Sequence, residues 1–149
     1  MTEGAVDLKI VTERLDITLA AIRELRTLPA ADLTTFTGDR RNIWAADALL
    51  RRAVEALFDT ARHLLAKAHG RGGLEYREVA RLAIERGLVS QGAEDPSFVN
   101  IAGFRNRLTH HYDDVTPEEL FSIVRTRLGD LEQLAEELRQ SATRLSLRP

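Results

Sequence analysis

The chain of 149 residues contains no cysteine. That absence rules out disulfide cross-links, thiolate zinc sites and cysteine nucleophiles, and it suits a reducing compartment. Lysine is nearly absent too, occurring only at Lys9 and Lys67, so arginine carries the positive charge. With a formal net charge of -2, the chain lacks the cation excess that sequence-independent coating of nucleic acid demands. Any contact with RNA must be local. No apolar run approaches the length of a membrane span, and Met1 to Asp7 shows no basic segment followed by an apolar core. A soluble, cytoplasmic protein with no membrane attachment is expected. Sustained period-two alternation of β-branched residues is missing, as are internal repeats and low-complexity tracts.

What is present is helical periodicity. Leu8, Val11, Leu15, Leu19, Ile22 and Leu25 form one stripe that ends before Pro29. A long second helix follows Thr37-Gly38-Asp39, with Ile43, Ala46, Leu50, Ala53, Leu57, Ala61 and Leu64 on one face and Arg51, Arg52, Glu55, Asp59 and Arg62 on the other. It ends near Gly70, where Gly70-Arg71-Gly72-Gly73 reads as a turn, since a phosphate-cradling loop needs a preceding strand. A third helix covers Tyr76 to Arg86 and stops at Gly87. Asp95-Pro96 marks the start of a fourth through Phe98, Ile101, Phe104 and Leu108. Thr116-Pro117-Glu118-Glu119 supplies a capping box for a long fifth helix along Leu120, Val124, Leu128, Leu131, Ala135 and Leu138, with residues 146–149 as a frayed tail. The pattern predicts an all-α protein, residues 1–149 as a single-domain bundle of about five helices. At 44% hydrophobic, the chain is long enough for one core.

The chemistry concentrates in Arg105-Asn106-Arg107-Leu108-Thr109-His110-His111-Tyr112. Arginine keeps its charge and presents a planar fork to phosphate oxygens, while histidine exchanges a proton near neutral pH. Such a set can cut a phosphodiester without a metal. Residues five apart on an ideal helix lie about 140° apart around its axis, so Arg105 and His110 do not converge on one regular face. Either the helix ends before His110, or the pair works with its copy in a second protomer. Asn106 and His110 are four apart and share a face, which suits the amide to orient the imidazole. His63 and His69, six apart without a convergent carboxylate pair, do not make a metal site, and no cofactor is indicated. His111 reads as a solvated neighbour.

The spacing Arg, four residues, His, one residue, Tyr, with Asn directly after the Arg, resembles the signature of the HEPN superfamily and in particular the HepT-like toxins. The similarity extends from the first helix through Leu49-Leu50-Arg51-Arg52-Ala53-Val54-Glu55 and Tyr76-Arg77-Glu78 to the last amphipathic helix, although only the octapeptide is specific. The resemblance implies a HEPN-like bundle and the toxin half of a toxin–antitoxin pair. It implies a metal-independent RNA endonuclease that works as a homodimer with a shared cleft. Arg105 and His110 match its catalytic pair, Asn106 the polar residue after the Arg, and Tyr112 the tyrosine to which a cognate minimal nucleotidyltransferase antitoxin transfers adenylate. Attack of a ribose 2′-hydroxyl on the adjacent phosphorus is the implied reaction, with DNA spared. The alternative is a non-catalytic helical module that binds a nucleotidyltransferase partner or a nucleotide, with Arg105 and His110 serving the helix terminus and its dipole. The nuclease reading expects Arg105 and His110 to line a cleft, so that their loss leaves stability nearly unchanged.

Overall fold

Aspartates start the first three helices. In the computed structural model, which describes residues 4–90, 97–110 and 114–147, α1 spans Leu8–Arg26, and the Asp7 carboxylate accepts the Lys9 and Ile10 N–H groups at 3.0 and 3.2 Å. Asp32 does the same for Thr35 at the head of a short α2, Leu33–Thr37. Asp39 caps α3, Arg40–His69, which stops where Gly70 turns into the left-handed region at φ 66°. A glycine suits that turn because it has no Cβ to clash there. Next comes α4, Tyr76–Glu85, closed by Gly87 at φ 72° with the Leu88 N–H donating to the Ala83 carbonyl at 2.8 Å. Then follow α5, Ser97–His110, α6, Pro117–Thr126, and α7, Leu128–Ser146. The fold is all-α, and no strand occurs among the described residues.

Among the described residues seven helices stand where about five were expected, for two local reasons. Asp32 nucleates one extra turn in a segment that carries no long apolar stripe. The expected fifth helix is two: the chain leaves the helix at Arg127, φ -116° and ψ -3°, although the apolar stripe runs on through Leu128 and Leu131. Arg127 pairs with Asp130 at 3.0 Å, and Gly129, a weak helix former, follows directly. The capping box is half realised. Thr116 Oγ1 accepts from the Glu119 N–H at 3.2 Å, but the Glu119 carboxylate is drawn away to Arg107 at 2.6 and 2.9 Å. Ser146, expected in a frayed tail, is the last residue of α7, and the Asp95-Pro96 start signal lies outside the described residues.

α1 lies antiparallel on α3: Thr18 donates to the Ala53 carbonyl at 2.9 Å, Arg14 to the Asp59 carbonyl at 3.2 Å, and His63 reaches the start of α1. Buried side chains from all seven helices form one cluster, with Phe58 of α3 stacked on Phe98 of α5 at 4.5 Å and edge-on to Tyr76 of α4 at 5.2 Å. That aromatic step fixes α4 and α5 against α3. No helix among the described residues is long and apolar enough to cross a membrane.

His63 Nε2 accepts the Asp7 N–H at 3.0 Å, so the bond needs a neutral imidazole. Burial first, then the charges of Arg14 and Lys67, hold its pKa below the ordinary value, with Asp7 pulling the other way. The unfolded chain therefore takes up this proton at higher pH than the folded one. Stability from His63 is complete above about pH 6.5 and is lost as pH falls through the folded value. Denaturant midpoints should drop between about pH 7 and 5.5 in the wild type and drop less in His63→Gln. Parallel curves for the two proteins would assign the linkage elsewhere.

Candidate active site on α5

The octapeptide divides between described and undescribed residues. Arg105, Asn106 and His110 lie on α5, whereas His111 and Tyr112 lie outside the described residues. The helix continues through His110, so one of the two geometries left open by the spacing is removed. In a single chain Arg105 and His110 sit about 140° apart on one regular helix and do not face a common point.

Arg105 is turned into the bundle. Its side chain is only 15% exposed, Nη2 pairs with Glu55 Oε1 of α3 at 3.3 Å, and the guanidinium stacks on the Tyr76 ring at 4.0 Å from the ring centre. Arg62 of α3 stacks on the same ring at 4.2 Å, so one phenol ring serves two cations. Glu55 and Tyr76 fall in stretches quoted for the family resemblance, but sequence reasoning gave neither a role at the site. They lie 50 and 29 positions before Arg105, and the signal was Glu55's place on the charged face of α3. His110, by contrast, is exposed. Asn106 lines a groove instead of contacting the imidazole, and no Asn106–His110 hydrogen bond occurs among the described residues.

The groove, about 750 Å³, opens between α5 and the α6–α7 pair. Leu50 and Val54 of α3 lie deep in it, with Phe104, Ile123 and Leu131 along its walls and Arg77 at its rim. Gly103 makes room for Arg77, since a Cβ there would sit 3.2 Å from the guanidinium. Arg107 bridges the groove's end by pairing with Glu119 and donating to the Asp114 carbonyl at 2.8 Å. Thus α5 is packed on one side and open on the other. Among the described residues no group of His, Asp and Glu is placed to hold a metal.

The α3–α5 junction also holds polar atoms with no partner. Arg51 Nη2 donates to the Leu108 carbonyl at 3.0 Å and to Asp47 at 2.9 Å, yet its Nε is buried and unbonded. Arg105 Nε and Thr109 Oγ1 are in the same state. Buried donors without acceptors are costly.

Comparison with known proteins agrees with this picture. The family described as ribonuclease HepT-like matches residues 7–138. Among solved structures, a chain from the crystal structure of a toxin–antitoxin with AMP-PNP is similar at a TM-score of 0.75 and 19% identity, covering 87% of this chain and 97% of that one. At that identity the likeness speaks for the fold. No curated protein matches the chain.

The enclosure of Arg105 changes what its removal should do. Loss of the stack on Tyr76 and of the pair with Glu55 should cost Arg105→Ala about 1–2 kcal/mol of stability. Exposed His110 should tolerate alanine to within about 0.5 kcal/mol. Urea midpoints of the two variants, measured side by side, test this; equal midpoints would mean that the Arg105 contacts contribute nothing.

Proposed function

The chain belongs to the HepT-like ribonuclease family, and from that membership we propose that it is the toxin of a toxin–antitoxin pair, a metal-independent RNA endonuclease acting as a homodimer. The observation that carries this reading is the placement of Arg105, Asn106 and His110 on one continuous helix beside an open groove. In the cleavage step the ribose 2′-oxygen attacks the adjacent phosphorus. Arg105 offsets charge on the phosphorane-like transition state, and His110 exchanges a proton with an attacking or departing oxygen. Asn106 acts as a supporting polar group.

A second copy supports the chemistry in two ways. It brings another His110 toward Arg105, which the helix geometry denies within one chain. It also covers apolar surface. Trp44 is 64% exposed and lies on the same α3 stripe as Arg51 and Glu55, about two turns before Arg51. An exposed Trp in that position suits the anchor of an interface. The antitoxin in this reading is a cognate minimal nucleotidyltransferase that adenylylates Tyr112. The added phosphate would sit close to the motif cations and repel incoming RNA. A competing reading, a non-catalytic module that binds a nucleotidyltransferase or a nucleotide, draws on the enclosure of Arg105, which also suits a structural role.

Incubation of the unmodified protein with RNA in EDTA separates the two. Cleavage is expected for the wild type, and His110→Ala should lose about 10²–10⁴-fold. Co-refolding Arg105→Ala with His110→Ala should restore activity, because mixed dimers hold one site with both groups. Absence of restoration, with dimers demonstrated by sedimentation, would place each site within one chain. Expression with the nucleotidyltransferase should add adenylate to the peptide containing Tyr112, and Tyr112→Phe should escape it.

A further inference from the structure

A second cavity, of about 240 Å³, lies apart from the groove, between α1, the second half of α3 and the turn that follows it. Its lining carries Arg14 of α1, Arg62 and His63 of α3 and Arg71 of the turn, against one carboxylate, Asp59. Solvent reaches these cations: Arg71 is exposed, and Arg14 and Arg62 are half-buried. Two of them are also fixed in place. Arg14 Nη1 donates to the Asp59 carbonyl at 3.2 Å, and Arg62 Nε donates to the Leu74 carbonyl at 3.2 Å while its guanidinium rests on Tyr76. A carbonyl dipole orients a guanidinium without cancelling its charge. Among the described residues the one ion pair in the lining is Arg62 with Asp59, at 3.6 Å, so positive charge is left over. His63 registers that excess: after burial, the charges of Arg14 and Lys67 hold its pKa below the ordinary value, with Asp7 pulling the other way.

The turn leaves the mouth of this cavity open. Gly73 takes φ 68°, and a Cβ there would meet nothing within 4 Å. Gly72 and Gly73 both line the cavity, so Arg71 is the one long side chain that the turn brings to it. This is not a glycine loop between a strand and a helix; the ligand groups are side chains from three elements. Guanidinium forks match the oxygens of a phosphate, and the space is smaller than the roughly 300–1,000 Å³ of sites that enclose a drug-sized molecule. The cavity also stands beside the motif. Arg62 and Arg105 stack on the same Tyr76 ring, their guanidinium carbons 4.2 and 4.0 Å from its centre. Neighbouring phosphates of a single strand can therefore engage the two cations, one each.

We infer that this cavity is a phosphate-binding site whose ligand is the RNA phosphate next to the one held at Arg105. The identity of the strand rests on the nuclease reading, which the site deepens; the affinity for a phosphate group rests on the cavity alone. Arg14 and Arg71 supply the charge, and Arg62 joins the cavity to the ring shared with Arg105. Contacts of this kind go to oxygens that every nucleotide carries. The site therefore positions the strand without reading its sequence.

Two measurements on the full chain test the site. Inorganic phosphate is titrated in at constant ionic strength while the His63 ring and the Gly72 and Gly73 amide resonances are followed by NMR. Saturable shifts are expected in the wild type and should be absent when Arg14→Gln and Arg71→Gln are combined. Binding of a 2′-O-methyl oligoribonucleotide, which cannot be cut, is then measured by fluorescence anisotropy over a range of salt. The double variant should bind about tenfold more weakly, with a salt slope shallower by about 0.7. Arg23→Gln, which changes an exposed arginine of α1 outside the cavity, should bind like the wild type. Should the double variant fail to fold, Arg71→Gln alone, at an exposed side chain, carries both measurements. Phosphate that produces no saturable shift overturns the site. Equal weakening by Arg23→Gln overturns it too, since net charge then accounts for the loss. Phosphate binding with unchanged oligoribonucleotide affinity in the double variant overturns the strand assignment and leaves a site for free phosphate or the phosphate of a nucleotide. If the wild type binds both ligands as expected and yet leaves RNA uncut, the nuclease reading falls and the phosphate site stands.

Discussion

The structure depends on α3. A helix of 30 residues runs about 45 Å, and the other six helices all pack against it. Its buried positions are spread around its circumference, from Leu50 and Val54 under the groove to Ala53 under α1 and Phe58 under the aromatic step. Where the surrounding helices leave α3 uncovered, a stripe of Trp44, Arg51 and Glu55 remains. The contact between Arg105 and Glu55 falls on that stripe, which no further helix covers among the described residues. Position, in this fold, follows from incomplete coverage of the central helix.

Arg105 illustrates why residue type matters at such a seam. A planar guanidinium can lie flat on Tyr76 and still direct an edge at Glu55, whereas a lysine ammonium has no face to stack. The charge never leaves, so its enclosure must be compensated continuously by the ring and the carboxylate. The same ring serves Arg62, which ties the start of α4 to α3 through the Leu74 carbonyl at 3.2 Å. Phe58 then links Tyr76 to Phe98, and Phe98 begins the helix that carries Arg105. The orientation of the cation is thus coupled to the hydrophobic core through a short chain of aromatic contacts.

Much of this was legible from local signals. Asp39 and Thr116 do cap helices, Gly70 and Gly87 do end them, and the apolar stripes, exposed Leu8 apart, do point inward. These are rules of sequence neighbours, and neighbours are visible. The break at Arg127 was hidden because a hydrophobic stripe records which face is buried and not whether the backbone is continuous. The half-made capping box was hidden because Glu119 answers to Arg107, which sequence places in another helix. For the site, the helix carrying Arg105, Asn106 and His110 was readable from spacing, but the contacts that decide their chemistry were not. Glu55 looked like one charge among several on a solvated face until α4 and α5 brought Tyr76 and Arg105 onto it.

Charge balance narrows where an RNA strand can gain affinity. Many of the arginines are already neutralised at the surface: Arg26 by Glu132, Arg41 by Asp39, Arg107 by Glu119, Arg127 by Asp130 and Arg139 by Glu136. Such exposed pairs add little stability, about 0–1 kcal/mol each, yet each removes a cation from the field that an approaching polyanion meets. With net charge -2, long-range attraction to RNA is weak. Under the proposed function, hold on the substrate comes from short-range donors aimed at few phosphates. Such a site would select by geometry at the scissile bond and bind the rest of the strand loosely. It is also one that a single added phosphate near the motif could shut, because there is little surplus charge elsewhere to recruit the substrate.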